Sequence, residues 1–323
     1  MSELELAQQI AGEGAEKPAD LIEAFDKLRK SWRTSPPVHE YATEEAPMSE
    51  LELAKKIAAE VVAANTEPVL RFTLERGEPG IFESKVGGTP YLPRDMAWPA
   101  DPKGMGMELL AQVDCAALEG LPGFPHSGLL QFFFALDDVF GMEFDDQTSQ
   151  TGFRVLYHET VDPSVTEEEV LAKRPPKPED AEDYVLLYGC FPIRFAPPSA
   201  QNIHEGDFRA WTEFLGKWNQ LHGTDFQNQW DYYRATKITG EFPDQEGDGP
   251  WHQLGGYPFF TQEDPRSGQY EDLDVLLFQL DSEGMGADDL VLWGDCGTGN
   301  FFISREALRR RDFSRVMYNW DCC

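Results

Sequence analysis

The chain has 323 residues, 41% of them hydrophobic and 12% aromatic, enough for two domains or one large duplicated one. Its formal net charge is −31, from 58 acidic and 27 basic side chains. A field of that sign repels phosphate backbones and anionic lipid, so neither nucleic acid nor membrane is an expected partner, whereas a basic protein or a cation is attracted; the plainer reading is that the acidity only keeps the protein soluble.

In chain order, Met1-Ser2-Glu3-Leu4-Glu5 is acidic and polar, without the basic start and apolar run of a secretory signal. Residues 1–11 recur almost unchanged at 48–58, and both copies carry Ser-x-x-Glu (Ser2/Glu5 and Ser49/Glu52), a capping box that starts a helix. In the second copy Leu51, Ala54, Ile57, Ala58, Val61 and Val62 form an apolar stripe at helical spacing. Between the copies, Leu21, Phe25, Leu28 and Trp32 mark another amphipathic helix, and the Pro-rich stretch 34–47 reads as a linker. Strands are expected over 69–74, 108–114, 128–136, 153–158 and 184–195, the last bent at Pro192. The best helix covers 208–221, with Phe208, Trp211, Leu215 and Trp218 on one face, Asp207 as cap and Gly223 as stop. A shorter helix is expected over 227–236, and a basic one over 305–311, capped by Ser304, before a last strand.

A longer-range repetition organises the body. Gly87-Gly88-Thr89-Pro90-Tyr91-Leu92, Leu109-Leu110-Ala111-Gln112-Val113-Asp114 and a Gly128-led aromatic strand are answered by Gly255-Gly256-Tyr257-Pro258-Phe259-Phe260, Leu276-Leu277-Phe278-Gln279-Leu280-Asp281 and a Gly299-led aromatic strand. Order and approximate spacing match, which implies two related structural units. Runs of strands with segregated helices argue α+β. The expected fold is an internally duplicated mixed or antiparallel sheet body with central helices and an extra helical N-terminal segment. Residues 1–47 form the extension and linker. Residues 48–323 form the duplicated domain, with units near 65–160 and 250–322 and a helical insert at 200–236.

These motifs, together with Phe153-Arg154-Val155-Leu156-Tyr157-His158, His252-Gln253-Leu254, Trp293-Gly294-Asp295 and Arg311-Asp312-Phe313-Ser314, resemble the YwqG-like family, a bacterial domain of unknown function. The resemblance spans roughly residues 65–322. It implies an α+β fold with internal duplication, and brings no established activity with it. Members look like cytosolic accessory proteins, some found near toxin genes, which suggests an immunity role.

The candidate site residues follow from the repeat. Alternation along a strand puts Gln112 with Asp114, and Gln279 with Asp281, on one face of each strand. Were the units related by a two-fold axis, these pairs would face a shared cleft able to bind a cation or do acid–base work. The plainer reading is that each Asp caps the turn after its strand and each Gln ties down a loop. Arg154, His158 and His252 are the other side chains able to join such a cleft. Trp293 and Asp295, in a glycine-rich turn that lacks the ending of a phosphate loop, offer an aromatic beside an acid. No histidine pair has the spacing of a helix-borne zinc site, and no metal or cofactor is assigned. The five cysteines, Cys115, Cys190, Cys296, Cys322 and Cys323, form no Cys-x-x-Cys and fit free thiols of a reducing cytosol. The adjacent pair Cys322-Cys323 is open to oxidation or soft-metal binding, or simply ends a strand. The expected function is a cytoplasmic, non-enzymatic binding protein that holds a basic protein partner, as an immunity protein would. The competing expectation is a metal-assisted hydrolase using Asp114, Asp281, Asp295 and His252.

Overall fold

Eleven short strands in a computed structural model of the chain join into one antiparallel sheet that curls toward a barrel. The structure describes residues 48–323 apart from 180, 244–248 and 285. The first copy of the short helical repeat, the helix expected at 21–32 and the linker at 34–47 lie outside the described residues, so the comparison begins at Met48.

The strands are β1 (Thr66–Leu74), β2 (Lys85–Val86), β3 (Glu108–Asp114), β4 (Leu129–Phe134), β5 (Phe153–His158), β6 (Phe191–Phe195), β7 (Ser199–Asn202), β8 (Gln253–Gly255), β9 (Val275–Asp281), β10 (Thr298–Ile303) and β11 (Met317–Asp321). Their order is β11-β10-β9-β8-β1-β6-β2-β3-β4-β5, with β7 beside β1. Two wings of four strands, β2 to β5 and β8 to β11, thus flank the central antiparallel pair β1–β6. Alternate residues of every wing strand point into one aromatic interior. Phe132 of β4 stacks on Phe278 of β9 with ring centroids 4.7 Å apart, and Phe153 of β5 lies 5.2 Å from Tyr318 of β11. The outer strands of the two wings therefore meet across the core. The chain entering β5 bridges what remains of the seam: the Tyr318 amide donates to the Gln147 carbonyl at 2.9 Å, and Gln150 Nε2 donates to the Phe313 carbonyl at 2.7 Å.

This corrects the expected fold class. Every strand pairing among the described residues is antiparallel, so the sheet is not mixed, and helix makes up only 22% of those residues. The helices are not central either. Helix α1 (Met48–Ala64) packs on α3 (Phe208–His222), which packs on α4 (Gln229–Thr236). Trp211, Phe214, Trp218, Tyr232 and Phe242 form an aromatic cluster of their own there. Two short α-helices, α2 (Glu167–Leu171) and α5 (Arg305–Arg310), complete the α-helices among the described residues. Segregated helices are compatible with α+β, but curling is a property of accumulated strand twist and of pairings between distant segments, such as β1 with β8, that local patterns do not carry.

Individual elements follow their local chemistry. Ala54, Ile57, Ala58, Val61 and Val62 form the buried face of α1. Helix α3 starts at Asp207, whose side chain accepts the Arg209 amide, and stops at Gly223 in the left-handed region, as its sequence predicts. Asp207 does more than cap. Its carboxylate is fully buried and meets Arg266 Nη2 at 2.8 Å and Arg209 Nη2 at 2.7 Å. Arg266, also fully buried, binds Asp264 at 2.6 Å and lies 4.3 Å over the ring of Phe302 on β10. Burial alone would raise the Asp207 carboxyl, but the two guanidiniums hold it well below the usual carboxylate range. This network fastens the start of α3 to the outer face of the second wing.

Removing one member of a buried ion network leaves the others charged and desolvated, which costs more than the network itself contributes. Arg266→Met is therefore expected to lower stability by about 3–5 kcal/mol, read as the shift in the urea unfolding midpoint at constant slope.

Candidate functional site

The polar residues singled out by the repeat lie on the outside of the sheet, under loops. Ala111 and Val113 belong to the interior core, so Gln112 points the other way, into the loop that carries the first Gly-Gly motif. Gln112 Oε1 accepts the Tyr91 amide at 2.9 Å, and Nε2 donates to the carbonyls of Ile81 and Glu83 at 2.9 and 3.0 Å. Gln279 does the same in the second wing: Oε1 accepts the Phe259 amide at 2.8 Å and Nε2 donates to the Trp251 carbonyl at 2.7 Å. Tyr91 and Phe259 hold the same place in their loops, three residues after the second glycine. One strand further out, Gln131 Nε2 donates to the Tyr91 carbonyl at 2.7 Å, and Asn300 Nδ2 to the Phe259 carbonyl at 2.9 Å. Each loop is thus held at both the amide and the carbonyl of its aromatic residue.

The two aspartates follow suit. The Asp114 side chain accepts the Ala116 amide at 3.0 Å and caps the one-turn helix Cys115–Leu118, while its own amide donates to Ser84 Oγ at 2.8 Å. The Asp281 amide donates to His252 Nδ1 at 3.0 Å, and Asp281 Oδ1 accepts from Thr298 Oγ1 at 3.0 Å. With Nδ1 accepting, the His252 proton sits on Nε2 and is donated to Glu283 Oε2 at 2.7 Å. His252 and Ser84 stand at matching points before the two Gly-Gly motifs, each receiving the amide of an aspartate.

The structure brings the candidates together in two sets, not one. Gln112 and Asp114 sit on β3, and Gln279 and Asp281 on β9 with His252 beside them; β8, β1, β6 and β2 lie between. His158 joins the first set, its Nε2 2.9 Å from Gln131 Oε1. Arg154 lies on the outer face of β5, beside an open groove of about 390 Å³ shared with Tyr157, Arg311 and Phe313. Trp293 is fully buried against Phe140, Tyr318 and Trp320, a core residue and no surface for a ligand. Asp295 lies in the turn before β10, next to Cys296 and Cys323. Of the four residues in the hydrolase reading, Asp281 and His252 are in contact, through the Asp281 amide.

Two corrections to the repeat emerge. The counterpart of Gly128 is Gly297, not Gly299: a Cβ on Gly128 would come 2.0 Å from the His158 carbonyl oxygen, and one on Gly297 would come 2.0 Å from that of Asp321. Gly299 serves a different purpose, since its Cβ would lie 2.3 Å from the Trp293 ring. Gln131 and Asn300 were missed altogether, although a carboxamide inside an otherwise apolar strand was a visible signal. The same alignment sets His158 opposite Asp321. Burial pushes the His158 imidazole down to about 4, and the Asp321 carboxyl up to about 6 against the pull of the Gln262 and Thr261 amides.

A sequence profile described as Domain of unknown function (DUF1963) matches residues 84–322, and the chain belongs to that family. No curated protein matches the chain. The profile covers both wings, so the polar clamps lie within the family domain.

Two outcomes test the structural reading of these residues. Gln112→Leu strands the Tyr91 amide and two carbonyls and is expected to cost roughly 2–4 kcal/mol in a urea titration. The second concerns pH. The folded protein keeps His158 neutral down to about 4, whereas the unfolded chain protonates it near its ordinary value, about 6.5. The unfolded state therefore binds more protons in that window, and stability falls as pH drops through it. His158→Gln is expected to recover roughly 2 kcal/mol of that acid-side loss, measured as the difference between the two proteins' melting profiles from pH 7 to pH 4. Asp321, which titrates with the opposite sign, cancels in the difference.

Proposed function

We propose that this protein is a non-enzymatic binding protein that holds a basic protein partner through its acidic surface. Neutralisation of a toxin by a YwqG-like immunity protein of the cytoplasm is the sharpest form of that reading. The observation that carries it is the charge: 58 acidic against 27 basic side chains. Along the excursion between β5 and β6, Glu159, Asp162, Glu167, Glu168, Glu169 and Glu179 are all exposed. Arg94 ties Asp162 and Glu169 together at 2.6 and 2.9 Å. Its hydrogen bond, with that of the Thr166 amide, draws the Glu169 carboxyl down to about 2, so the charge persists across the working pH range.

Most arginines of the basic helix and its flank are engaged locally. Arg305 is taken up by Asp274 and Glu67, Arg310 by Glu306 and Arg315 by Asp272, while Arg311 donates to the carbonyls of Gly123, Phe124 and Leu308. An outward carboxylate field of this kind raises the encounter rate with a cationic partner and orients it. The clamps described above favour binding over chemistry, because Gln112, Gln279 and His252 already spend their polar side-chain atoms on the fold. No helix among the described residues is long and apolar enough to cross a membrane.

The purified full chain serves as bait at about 0.1 M and about 1 M salt, where the screening length falls from about 10 Å to about 3 Å. The expected result is a partner of net positive charge, held at low salt, released at high salt, and weakened by Glu167→Lys with Glu168→Lys. Equal retention at both salts overturns the electrostatic basis.

A further inference from the structure

The turn before β10 and the residues after β11 form a corner whose chemistry the fold itself does not call for. Thr298 pairs with Asp321 at the end of the β10–β11 ladder. Continuing that register by two residues sets Cys296 opposite Cys323, and their sulfurs lie 3.2 Å apart. A carboxylate oxygen of Asp295 completes a triangle in which all three ligand atoms lie within 4.8 Å of one another. A tetrahedral shell with metal–sulfur bonds of about 2.3 Å sets two thiolates roughly 3.8 Å apart, so the sulfur pair needs only sub-ångström adjustment to take a cation.

The corner is built to hold that arrangement. The Trp293 side chain is fully buried, its amide donates to Ser282 Oγ at 2.9 Å, and Ser282 Oγ donates in turn to the Gly297 carbonyl at 2.8 Å. The Gly297 amide closes the turn on the Trp293 carbonyl at 2.8 Å. Gly294 takes φ +59° within it, a conformation that favours glycine. Asp295 and Cys296 therefore project from a fixed loop while Cys323 is presented by the strand partner.

The first wing supplies an internal comparison. Its register there, Leu129 opposite His158, answers Thr298 opposite Asp321, and by it the places of Asp295, Cys296 and Cys323 fall to His126, Ser127 and Thr160. The two cysteines with their aspartate thus belong to one wing only.

We propose that Asp295, Cys296 and Cys323 form a binding site for a thiophilic divalent cation of the zinc type, with a fourth position left to solvent or a ligand. Two thiolates and a carboxylate suit zinc, and are a poor match for magnesium or calcium, which take oxygen shells. The net charge of −31 favours cation approach. Cys190, whose thiol faces the Gly87 carbonyl in the other wing, lies outside the site.

The test titrates zinc alone into the reduced full chain by calorimetry, with proton release read in buffers of different ionisation heat. One zinc per chain is expected, with protons displaced from the thiols. Affinity should fall by more than about tenfold in Cys296→Ser and in Cys323→Ser, and less steeply in Asp295→Asn, and stay unchanged in Cys190→Ser. Cobalt in place of zinc should show thiolate-to-metal charge-transfer absorption that either serine variant weakens. Circular dichroism of each variant confirms that it is folded. Zinc uptake that survives Cys296→Ser combined with Cys323→Ser overturns the proposal. So does a reduced chain that takes up no zinc, which would leave the close sulfur pair as a dithiol poised for disulfide formation.

Discussion

Covering the outer face of a sheet with loops creates an obligation: each loop brings backbone amides and carbonyls out of water, and each must find a partner. In this protein four carboxamides meet much of it. Gln112 and Gln131 in one wing, and Gln279 and Asn300 in the other, bind the amide and carbonyl of the aromatic residue after each proline, and also the chain leading into the neighbouring short strand. A neutral carboxamide suits this task because it carries donor and acceptor on one planar group and brings no charge into a dry layer. Leucine at these positions would fit the strand and leave the loop without its anchor. The interior faces could pack without these residues; the outer layer could not.

That constraint explains which parts of the molecule were legible in the sequence. The two Leu-Leu-x-Gln-x-Asp strands and the two Gly-Gly-x-Pro-aromatic loops resemble each other because the Gln of one element is bonded to the other. Gln and loop form one device, and their shared recurrence carries its signature. Helix α3 was legible for a local reason, since its cap, stop and apolar stripe lie within a single segment. Curling of the sheet was not. It depends on Phe132 reaching Phe278 and Phe301 across the core, contacts between residues more than a hundred positions apart that no periodicity encodes. The pairing of Gly128 with Gly299 failed for a related reason. A glycine was matched by its neighbours in sequence, whereas the backbone calls for glycine where the carbonyl of the adjacent strand comes too close for a Cβ.

The same physics separates the protein's charges into two kinds. Asp207, Asp264, Arg209 and Arg266 are paired and mostly dry, and they join the helical cluster to the barrel. Buried pairs of this sort contribute little net stability compared with apolar packing, but they penalise every arrangement that separates them. They therefore fix where α3 starts relative to β10. Many of the other described carboxylates, Glu159, Glu167 and Glu168 among them, lie at the surface, where their mutual repulsion costs stability and yields a long-range field. A chain under selection for stability alone has little reason to keep such an excess on the outside, which is why the field is read as a property that a partner uses.

The two wings, held by matching clamps, also separate structure from chemistry. Where both wings keep the same group in the same bond, as at Gln112 and Gln279, the fold accounts for the residue. Where they keep the backbone and change the side chains, the fold is satisfied either way and the difference needs another cause. His158 and Asp321 occupy matching places at the ends of β5 and β11, yet one is a base held neutral by burial and the other an acid held partly protonated by it, so the wings respond to acid in opposite senses. Two residues beyond them the contrast sharpens, with Ser127 and Thr160 at one corner and Cys296 and Cys323 at the other. The matching strand register thus holds with hydroxyls in one wing and thiols in the other. What two sulfurs 3.2 Å apart beside a carboxylate add is affinity for a soft cation, or for each other.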